Sequence, residues 1–225
     1  MQTPPIYAVI VAGGQGTRMG TAVPKQFLEL NGHPVLYHTI RAFQKAIEDV
    51  QIILVLPEHH ISYAQMVLQS FSERIDITIV AGGETRFHSV KKGLQGIPDN
   101  SIIMVHDGVR PLVSAALIRS CCEQAKEKGS AIPAIAATDS IRILEGAASR
   151  QIDRTLVRLV QTPQTFKASI LLPVMEQDYQ DGFTDEATVA EYSGIPIHLI
   201  EGEKRNLKIT TQEDLIIAEV WMKTE

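Results

Sequence analysis

The sequence predicts an α/β fold: a Rossmann-like, mainly parallel sheet with helices on both faces, from which a β-hairpin arm protrudes. Two observations predict the sheet. Short apolar runs alternate with longer amphipathic stretches, and each run is continuously apolar. A third observation predicts the hairpin, since residues 139–153 alternate polar and apolar side chains around a small-residue turn at 146–149.

Residues 1–137 contain five apolar runs of strand length. They occupy residues 6–12, 51–57, 77–81, 101–107 and 131–137. Apolar residues at helical spacing fill the intervals, over residues 34–45, 61–71, 84–96 and 114–128. Because parallel strands end at one edge of a sheet, we expect the loops that follow these runs to share a ligand site.

After the hairpin the pattern is less regular. Strand character returns at residues 156–163, helical patterns cover 167–179 and 185–192, and residues 195–202 predict a last strand. The final helix is predicted to open at Thr210, because Glu213 stands three residues on, which is the spacing of a capping box.

The composition is that of one folded domain. The chain has 225 residues, 44% of them hydrophobic, so we predict a single domain over residues 1–225 with an arm at about 138–156. A formal net charge of -5 argues against a nucleic-acid or anionic-membrane surface. The longest early apolar run, residues 7–12, is far shorter than the roughly 20 residues of a membrane span. No membrane partner and a cytoplasmic location are therefore expected.

The arm and the cysteines add two further expectations. An isolated two-stranded hairpin is marginal in water, so the arm is predicted to pack on a second copy of the chain and form a homodimer. Cys121 and Cys122 are neighbours within a helical pattern, which argues against a disulfide framework or a zinc site.

The loop VAGGQGTRMG, residues 11–20, follows the first strand and is a near miss to a dinucleotide-binding fingerprint. Met19 stands where the third glycine belongs, and the acidic residue expected roughly 20 positions on is missing. What remains is a glycine-rich turn with two cations, Arg18 and Lys25, which suits a loop that binds a triphosphate and offsets its charge. The alternative is an ordinary tight turn with a solvated arginine.

Two more motifs follow later strands. In AGGETRFHSV, residues 81–90, backbone amides and Ser89 could face a nucleotide, although an ordinary turn with Glu84 as a first-turn acid is the alternative. In VHDGVRP, residues 105–111, Asp107 and Arg110 could meet a substrate hydroxyl and a phosphate, or could pair only with each other.

These motifs together carry a resemblance to a known family. AGGQGTRMG followed by PKQFLEL resembles the nucleotidyltransferases that build sugar and polyol nucleotides. With VHDGVRP, RLVQTPQTF, FTDEATVAEY and EGEKRNLKITTQEDL in that order, nearly the whole chain is similar to the 2-C-methyl-D-erythritol 4-phosphate cytidylyltransferases of the non-mevalonate isoprenoid pathway. The resemblance implies the nucleotidyltransferase fold and two substrates, CTP and a polyol phosphate. It implies transfer of CMP from CTP to 2-C-methyl-D-erythritol 4-phosphate, with pyrophosphate released.

The resemblance also implies roles for individual residues. Arg18 and Lys25 would stabilise the transition state. The acceptor-positioning set would be Asp107, Arg110, Ser140, Arg154, Thr162 and Lys208. The nucleotide-binding set would be Ala12, Gly13, Gly14, Gly16, Gly83, Glu84 and Ser89. A Mg²⁺ ion would be bound mainly through the CTP phosphates, and its protein ligands are not assigned.

The implied chemistry needs no general base. A phosphate monoester has a second pKa of about 6, so the acceptor is mostly dianionic at pH 7. The sequence offers no convincing Ser, Cys or His nucleophile with a base beside it. Catalysis would depend on holding two phosphates in line and neutralising charge at the α-phosphate.

Four alternatives are weighed from the sequence. Sugar-1-phosphate uridylyl- or thymidylyltransferases share the glycine-rich turn, but they usually continue differently before their Pro-Lys pair and are longer. Ribitol-5-phosphate cytidylyltransferases share the first loop and the HDxxRP and TPQ blocks, whereas TDSIR and TDEAT favour the erythritol enzymes. A non-catalytic nucleotide-binding regulator with the same fold is disfavoured because the cations are all present. A dinucleotide-dependent dehydrogenase is disfavoured by the missing third glycine and ribose acid.

Overall fold

A computed structural model of the chain describes residues 3–14, 23–71 and 76–224. The strands found there are β1 (Ile6–Val11), β2 (Glu29–Leu30), β3 (His33–Pro34), β4 (Gln51–Leu56), β5 (Ile77–Ala81), β6 (Ile102–Asp107), β7 (Ser130–Ala136), β8 (Ile141–Glu145), β9 (Ala148–Ile152), β10 (Arg158–Val160), β11 (Gln164–Lys167) and β12 (Leu199–Glu201). The α-helices found there are α1 (Val35–Ala46), α2 (Ile61–Gln69), α3 (Arg86–Gly93), α4 (Ala115–Lys128), α5 (Ala168–Val174), α6 (Glu186–Tyr192) and α7 (Gln212–Met222).

The central sheet has the strand order β10-β7-β11-β6-β1-β4-β5, with β12 beside β7. β1 pairs in parallel with β4 and with β6, and β4 pairs in parallel with β5. Strand β1 therefore lies in the middle of a parallel block, and its carboxyl end is flanked by the carboxyl ends of both neighbours. The prediction of a mainly parallel sheet is confirmed.

Helices cover both faces of this sheet. Along β1 the side chains alternate, so that Ala8 and Ile10 pack against a core formed with α1, α2 and α4. Val9 and Val11 point the other way, into a core formed with α3, α5 and α6. Burial on both faces explains why the strand reads as a continuous apolar run rather than as an alternating one.

Strand β11 was not predicted. It lies antiparallel between β6 and β7, with Phe166 opposite Ile103 and Ser130. The segment is short and begins with Gln164 and Thr165, both of them buried polar residues. Its place in the sheet is set by pairing with strands distant in sequence, which local periodicity does not reveal.

The helix at the carboxyl end begins one residue later than predicted. Thr211 is the residue that caps α7, and its side chain accepts a hydrogen bond from the Asp214 N–H. The Asp214 carboxylate accepts in return from the N–H groups of Thr210 and Thr211, at 2.8 and 2.9 Å. The prediction of Thr210 with Glu213 was wrong, because a true capping box needs this reciprocal pair of bonds.

The predicted hairpin forms a two-stranded sheet of its own. β8 pairs antiparallel with β9, and Gly146 in the turn has a φ of +62°, which favours glycine. Large apolar side chains on and after the hairpin are exposed, with Leu144 at 80% and Leu156 at 79%.

The two cysteines lie inside the molecule. Cys121 and Cys122 are both free and both buried in α4. Burial raises the pKa of the Cys121 thiol to about 12. Separately, the helices of the described part of the chain include none that is long and apolar enough to cross a membrane.

Candidate active site

A cleft of about 330 Å³ opens at the carboxyl edge of the parallel strands. It lies where β1 and β6 end, with Val11 and Asp107 in register on the two strands. The cleft brings together nine of the residues predicted to form the site: Ala12, Gly13, Gly14, Lys25, Gly83, Glu84, Ser89, Asp107 and Lys208. Arg18 and Gly16, which were also predicted, lie outside the described residues.

The first loop is held in place by its backbone. The Ala12 N–H donates to the Val55 carbonyl at 2.8 Å, and the buried Gln26 amide donates to the Ala12 carbonyl at 2.8 Å. Lys25 follows Pro24 in a short 3-10 turn, and only 9% of its surface is exposed. A Cβ added to Gly14 would lie 3.5 Å from Lys25 Cε, so the lysine stem passes directly beside the loop.

The loop before α3 forms the opposite wall of the cleft. Gly83 approaches the helix so closely that an added Cβ would stand 2.5 Å from His88 Cβ. The Ser89 hydroxyl accepts a hydrogen bond from the Gly83 N–H at 3.1 Å, and Thr85 caps the helix. Ser89 therefore lines the cleft and also fixes the shape of this loop, whereas Glu84 is exposed.

Asp107 is the charged centre of the site. Its Oδ2 lies 3.2 Å from Arg110 Nε and 3.1 Å from Lys208 Nζ, and its Oδ1 lies 3.5 Å from Arg86 Nε. Burial alone would raise the pKa of Asp107, but Arg86, Lys208 and Arg110 together hold it well below its usual range. The carboxyl group is thus an anion, and the alternative in which Asp107 and Arg110 pair only with each other is wrong.

A second cavity of about 140 Å³ adjoins the cleft. Arg86, Asp107 and Lys208 line both spaces, while Arg110 and Thr162 line the second one. Such a shared wall suits a reaction in which two phosphorylated molecules must meet, one from each side.

Thr162 lines the second cavity, and the fully buried His106 contacts it from the protein interior. The Thr162 hydroxyl accepts from the Asp107 N–H at 3.1 Å and lies 3.0 Å from His106 Nδ1. The other ring nitrogen of His106 lies 3.2 Å from the Arg110 carbonyl. Burial lowers the pKa of His106 to about 3, so its imidazole is neutral and holds the Arg110 turn against the strand end.

Comparison with known proteins decides the family. Residues 6–224 match the family model described as 2-C-methyl-D-erythritol 4-phosphate cytidylyltransferase. The chain belongs to this family. It is 44% identical over 209 residues to the 2-C-methyl-D-erythritol 4-phosphate cytidylyltransferase of Bacteroides thetaiotaomicron, covering 93% of this chain and 95% of the relative.

Solved structures of the family have the same fold. The chain superposes on the 4-diphosphocytidyl-2C-methyl-D-erythritol synthase of Anaerococcus prevotii with a TM-score of 0.82 at 26% identity, over 98% and 99% of the two chains. The Francisella tularensis 2-C-methyl-D-erythritol 4-phosphate cytidylyltransferase gives a TM-score of 0.79 at 29% identity, over 96% and 99%. The predicted nucleotidyltransferase fold is confirmed.

The predicted arm residues lie apart from the cleft. Ser140 and Arg154 are exposed and line a separate pocket at the base of the hairpin. Arg154 Nη1 donates to the Thr138 carbonyl at 2.6 Å. Within the described part of the chain, neither residue lines the cleft or the second cavity.

Sequence reasoning missed several residues of the site. Arg86 forms ion pairs with both Asp107 and Glu186, and the buried Asn206 donates to the Thr162 carbonyl at 2.8 Å. Gln26 was passed over although it directly follows Lys25. Arg86 and Glu186 stand within motifs that were singled out, but only the fold shows that these two residues, 100 positions apart, are partners.

Proposed function

We propose that this chain transfers CMP from CTP to 2-C-methyl-D-erythritol 4-phosphate, which gives 4-diphosphocytidyl-2-C-methyl-D-erythritol and pyrophosphate. One observation carries the proposal. In a chain of this family, Lys25, Asp107 and Lys208 converge with two glycine-rich loops on one cleft. A cytoplasmic location, where both substrates are available, is part of the proposal.

The nucleotide would occupy the larger space. The backbone at Ala12–Gly14 and at Gly83 would contact CTP, because glycines allow close approach of the main chain to phosphates. Lys25 beside Gly14 would reach the triphosphate and, together with Arg18, offset the charge that develops at the α-phosphate.

The acceptor would enter from the second cavity. Arg110 and Lys208 would bind its phosphate, and the Asp107 carboxylate would accept a hydrogen bond from a polyol hydroxyl. An acceptor phosphate oxygen then forms a bond to the α-phosphorus of CTP while the bond from that phosphorus to the bridging oxygen breaks, and pyrophosphate leaves. No proton must be removed, since the acceptor is already an anion.

A divalent cation fits this site if the nucleotide brings it. Among residues 3–14, 23–71 and 76–224, no group of three or more His, Cys, Asp and Glu side chains is placed to hold a metal ion. The cleft offers the carboxylates of Asp107 and Glu84. Mg²⁺ often keeps few protein ligands and binds through phosphates, where it neutralises charge on the triphosphate. We therefore propose Mg²⁺ as the cofactor, bound mainly through the CTP phosphates.

The hairpin would complete the site of a second copy. Ser140 and Arg154 are exposed at the hairpin base, and Leu144 and Leu156 expose apolar surface beside them. If two chains pack through this surface, each arm would bring its arginine and serine to the partner's acceptor cavity. The proposed enzyme is therefore a homodimer in which each active site belongs to two chains.

Pyrophosphate release from CTP tests the reaction. The purified chain is incubated with CTP, Mg²⁺ and either 2-C-methyl-D-erythritol 4-phosphate or ribitol 5-phosphate, and pyrophosphate and the cytidylyl product are measured. Release is expected with the erythritol phosphate and not with ribitol phosphate. The opposite preference would assign the chain to ribitol phosphate, and no release with either acceptor would favour the non-catalytic reading.

A further inference from the structure

Arg86 connects a buried glutamate to the charged centre of the site. Its guanidinium forks onto the Glu186 carboxylate, with Nη1–Oε1 at 2.6 Å and Nη2–Oε2 at 3.0 Å. Its Nε lies 3.5 Å from Asp107 Oδ1. Glu186 is 1% exposed. In the described part of the chain it lines neither cavity, whereas Arg86 lines both.

The two hydrogen bonds to Glu186 hold the Arg86 guanidinium in one position and keep it protonated. Burial alone would lower the pKa of its guanidinium, but Glu186 and Asp107 raise that pKa above its ordinary value. A bidentate pair also fixes the plane of the guanidinium, which a single ion pair does not. The position of Nε beside Asp107 is therefore set by Glu186.

The three cations around Asp107 differ in how free they are to move. The Arg110 side chain is 10% exposed and also donates to the Asn206 carbonyl at 2.9 Å. The Lys208 side chain is 44% exposed. Lys208 is thus the cation that can turn from Asp107 to an arriving phosphate, which would leave the buried carboxylate with Arg110 and Arg86. An uncompensated buried charge is strongly unfavourable, so the two arginines must suffice at that moment.

We propose that Arg86 is a positioning residue of the acceptor site, fixed by Glu186, which holds Asp107 in place when Lys208 turns to the acceptor phosphate. The proposal rests on the proposed function and adds to it a role for Arg86 and, behind Arg86, for Glu186, which lines neither space. Loss of Glu186 would change the position of Arg86, and the result would be a higher KM for the polyol phosphate.

Kinetics of the Glu186→Gln variant test this role. The substitution keeps the size of the side chain, removes the charge that anchors Arg86, and replaces one of the two accepting oxygens with an NH₂ donor. The KM for 2-C-methyl-D-erythritol 4-phosphate is expected to rise about tenfold, the size of coupling within one ion-pair network, while the KM for CTP does not rise and kcat changes less than about threefold. Glu176→Gln is the matched control, because the exposed Glu176 pairs at 3.2 Å with Lys91, which stands on α3 as Arg86 does.

A double-variant cycle separates positioning from general stability. If Glu186 acts through Arg86, then Glu186→Gln added to Arg86→Gln should change the acceptor KM less than about twofold. Full additivity, an equal rise in the KM for CTP, or the same defect in Glu176→Gln would overturn the proposal. Should Glu186→Gln fail to fold, Arg86→Lys replaces it, because a lysine cannot fork onto Glu186 and also reach Asp107. A wild-type acceptor KM in Arg86→Lys would overturn the proposal.

The wild-type reaction, run beside the variants, keeps the two conclusions apart. A wild type that releases no pyrophosphate from CTP with either polyol phosphate refutes the proposed function. An active wild type with kinetically normal Glu186 and Arg86 variants refutes only the role of Arg86.

Discussion

The cleft and the hairpin are built in opposite ways. In the cleft, Lys25, Asp107 and Lys208 come from distant parts of the sequence and meet at one sheet edge. At the base of the hairpin, Ser140 and Arg154 are close in sequence and remain exposed beside a small separate sheet. Both regions carry residues predicted for one reaction, yet in the described chain the second set lines a pocket apart from the cleft.

The difference follows from what supports each region. Parallel strand register fixes the cleft, because the ends of β1 and β6 are paired residue by residue and buried on both faces. The hairpin pairs only β8 with β9, and two strands alone make a marginal structure in water. The described part of the chain thus forms the cleft by itself, whereas the hairpin is proposed to function against a second copy.

The largest effect is expected when Lys25, the buried cation of the cleft, is removed. Lys25→Ala should lower kcat about 100- to 1000-fold, because one donor that stabilises developing charge is lost, and the far-ultraviolet circular dichroism should stay unchanged. The same loss is expected for Arg18→Ala. Lys45→Ala, at the end of α1, is the control. Near-normal turnover of Lys25→Ala would contradict the role assigned to the cleft.

The next effect concerns His106, the buried histidine that contacts Thr162 of the second cavity. Unfolding lets His106 bind a proton below pH 6.5, whereas the folded chain binds it only near pH 3. Stability due to the neutral histidine is therefore full above pH 6.5 and is lost as the pH falls toward 3, by about 2 kcal/mol between pH 7 and pH 5.

Urea unfolding at those two pH values measures this loss. His106→Asn should lose less stability than the wild type on acidification by about that amount, because the group that titrates is gone. Leu144→Ala in the hairpin carries no titratable group and should keep the wild-type difference. An unchanged difference in His106→Asn would show that this histidine is not held neutral.

A smaller effect is expected at the apolar surface of the hairpin. Leu144→Glu should raise the dissociation constant of the proposed homodimer about tenfold or more, because a leucine buried on association contributes on the order of 1.5–3 kcal/mol. Sedimentation equilibrium measures the change. Ile216→Glu on α7, where the isoleucine is 62% exposed, is the control. If only Ile216→Glu dissociates the dimer, the interface lies on α7 instead.

The smallest signal comes from mixing two inactive variants. In a mixed dimer of Lys25→Ala and Arg154→Ala, one site would contain both defects and the other site neither. Random exchange of subunits at equal amounts should therefore restore about a quarter of the wild-type activity. Native mass spectrometry confirms that mixed dimers have formed. No recovery in a sample with proven mixed dimers would mean that the cleft and the hairpin of one chain act together.

Most of the sheet could be predicted because burial on both faces leaves a strong local signal. The apolar runs at 6–12, 77–81 and 101–107 became strands within a residue of their predicted bounds. β11 could not be found in the same way, since Gln164 and Thr165 are polar and their burial depends on partners elsewhere in the chain. Gln164, for example, donates to the Asp185 carboxylate at 2.9 Å.

The residues of the candidate site differ in the same way in whether the local sequence could predict them. Residues at the carboxyl ends of predicted strands, such as Asp107, could be placed because these ends meet at one edge of the sheet. Arg86 and Glu186 could not, because neither residue is unusual in its own segment and only the fold brings their charges together. Partners that lie far apart in the sequence can be identified only from the structure.

Because both native thiols are buried, a cysteine introduced into the hairpin can be labelled site-specifically. Cys121 and Cys122 are the two cysteines of the sequence, and both lie inside α4. A cysteine introduced at Ala147, in the hairpin turn, would be the reactive thiol of the folded protein. Spin labels there would report the separation of two hairpin tips directly, and its change when CTP and the polyol phosphate bind, without removal of any native residue from the core.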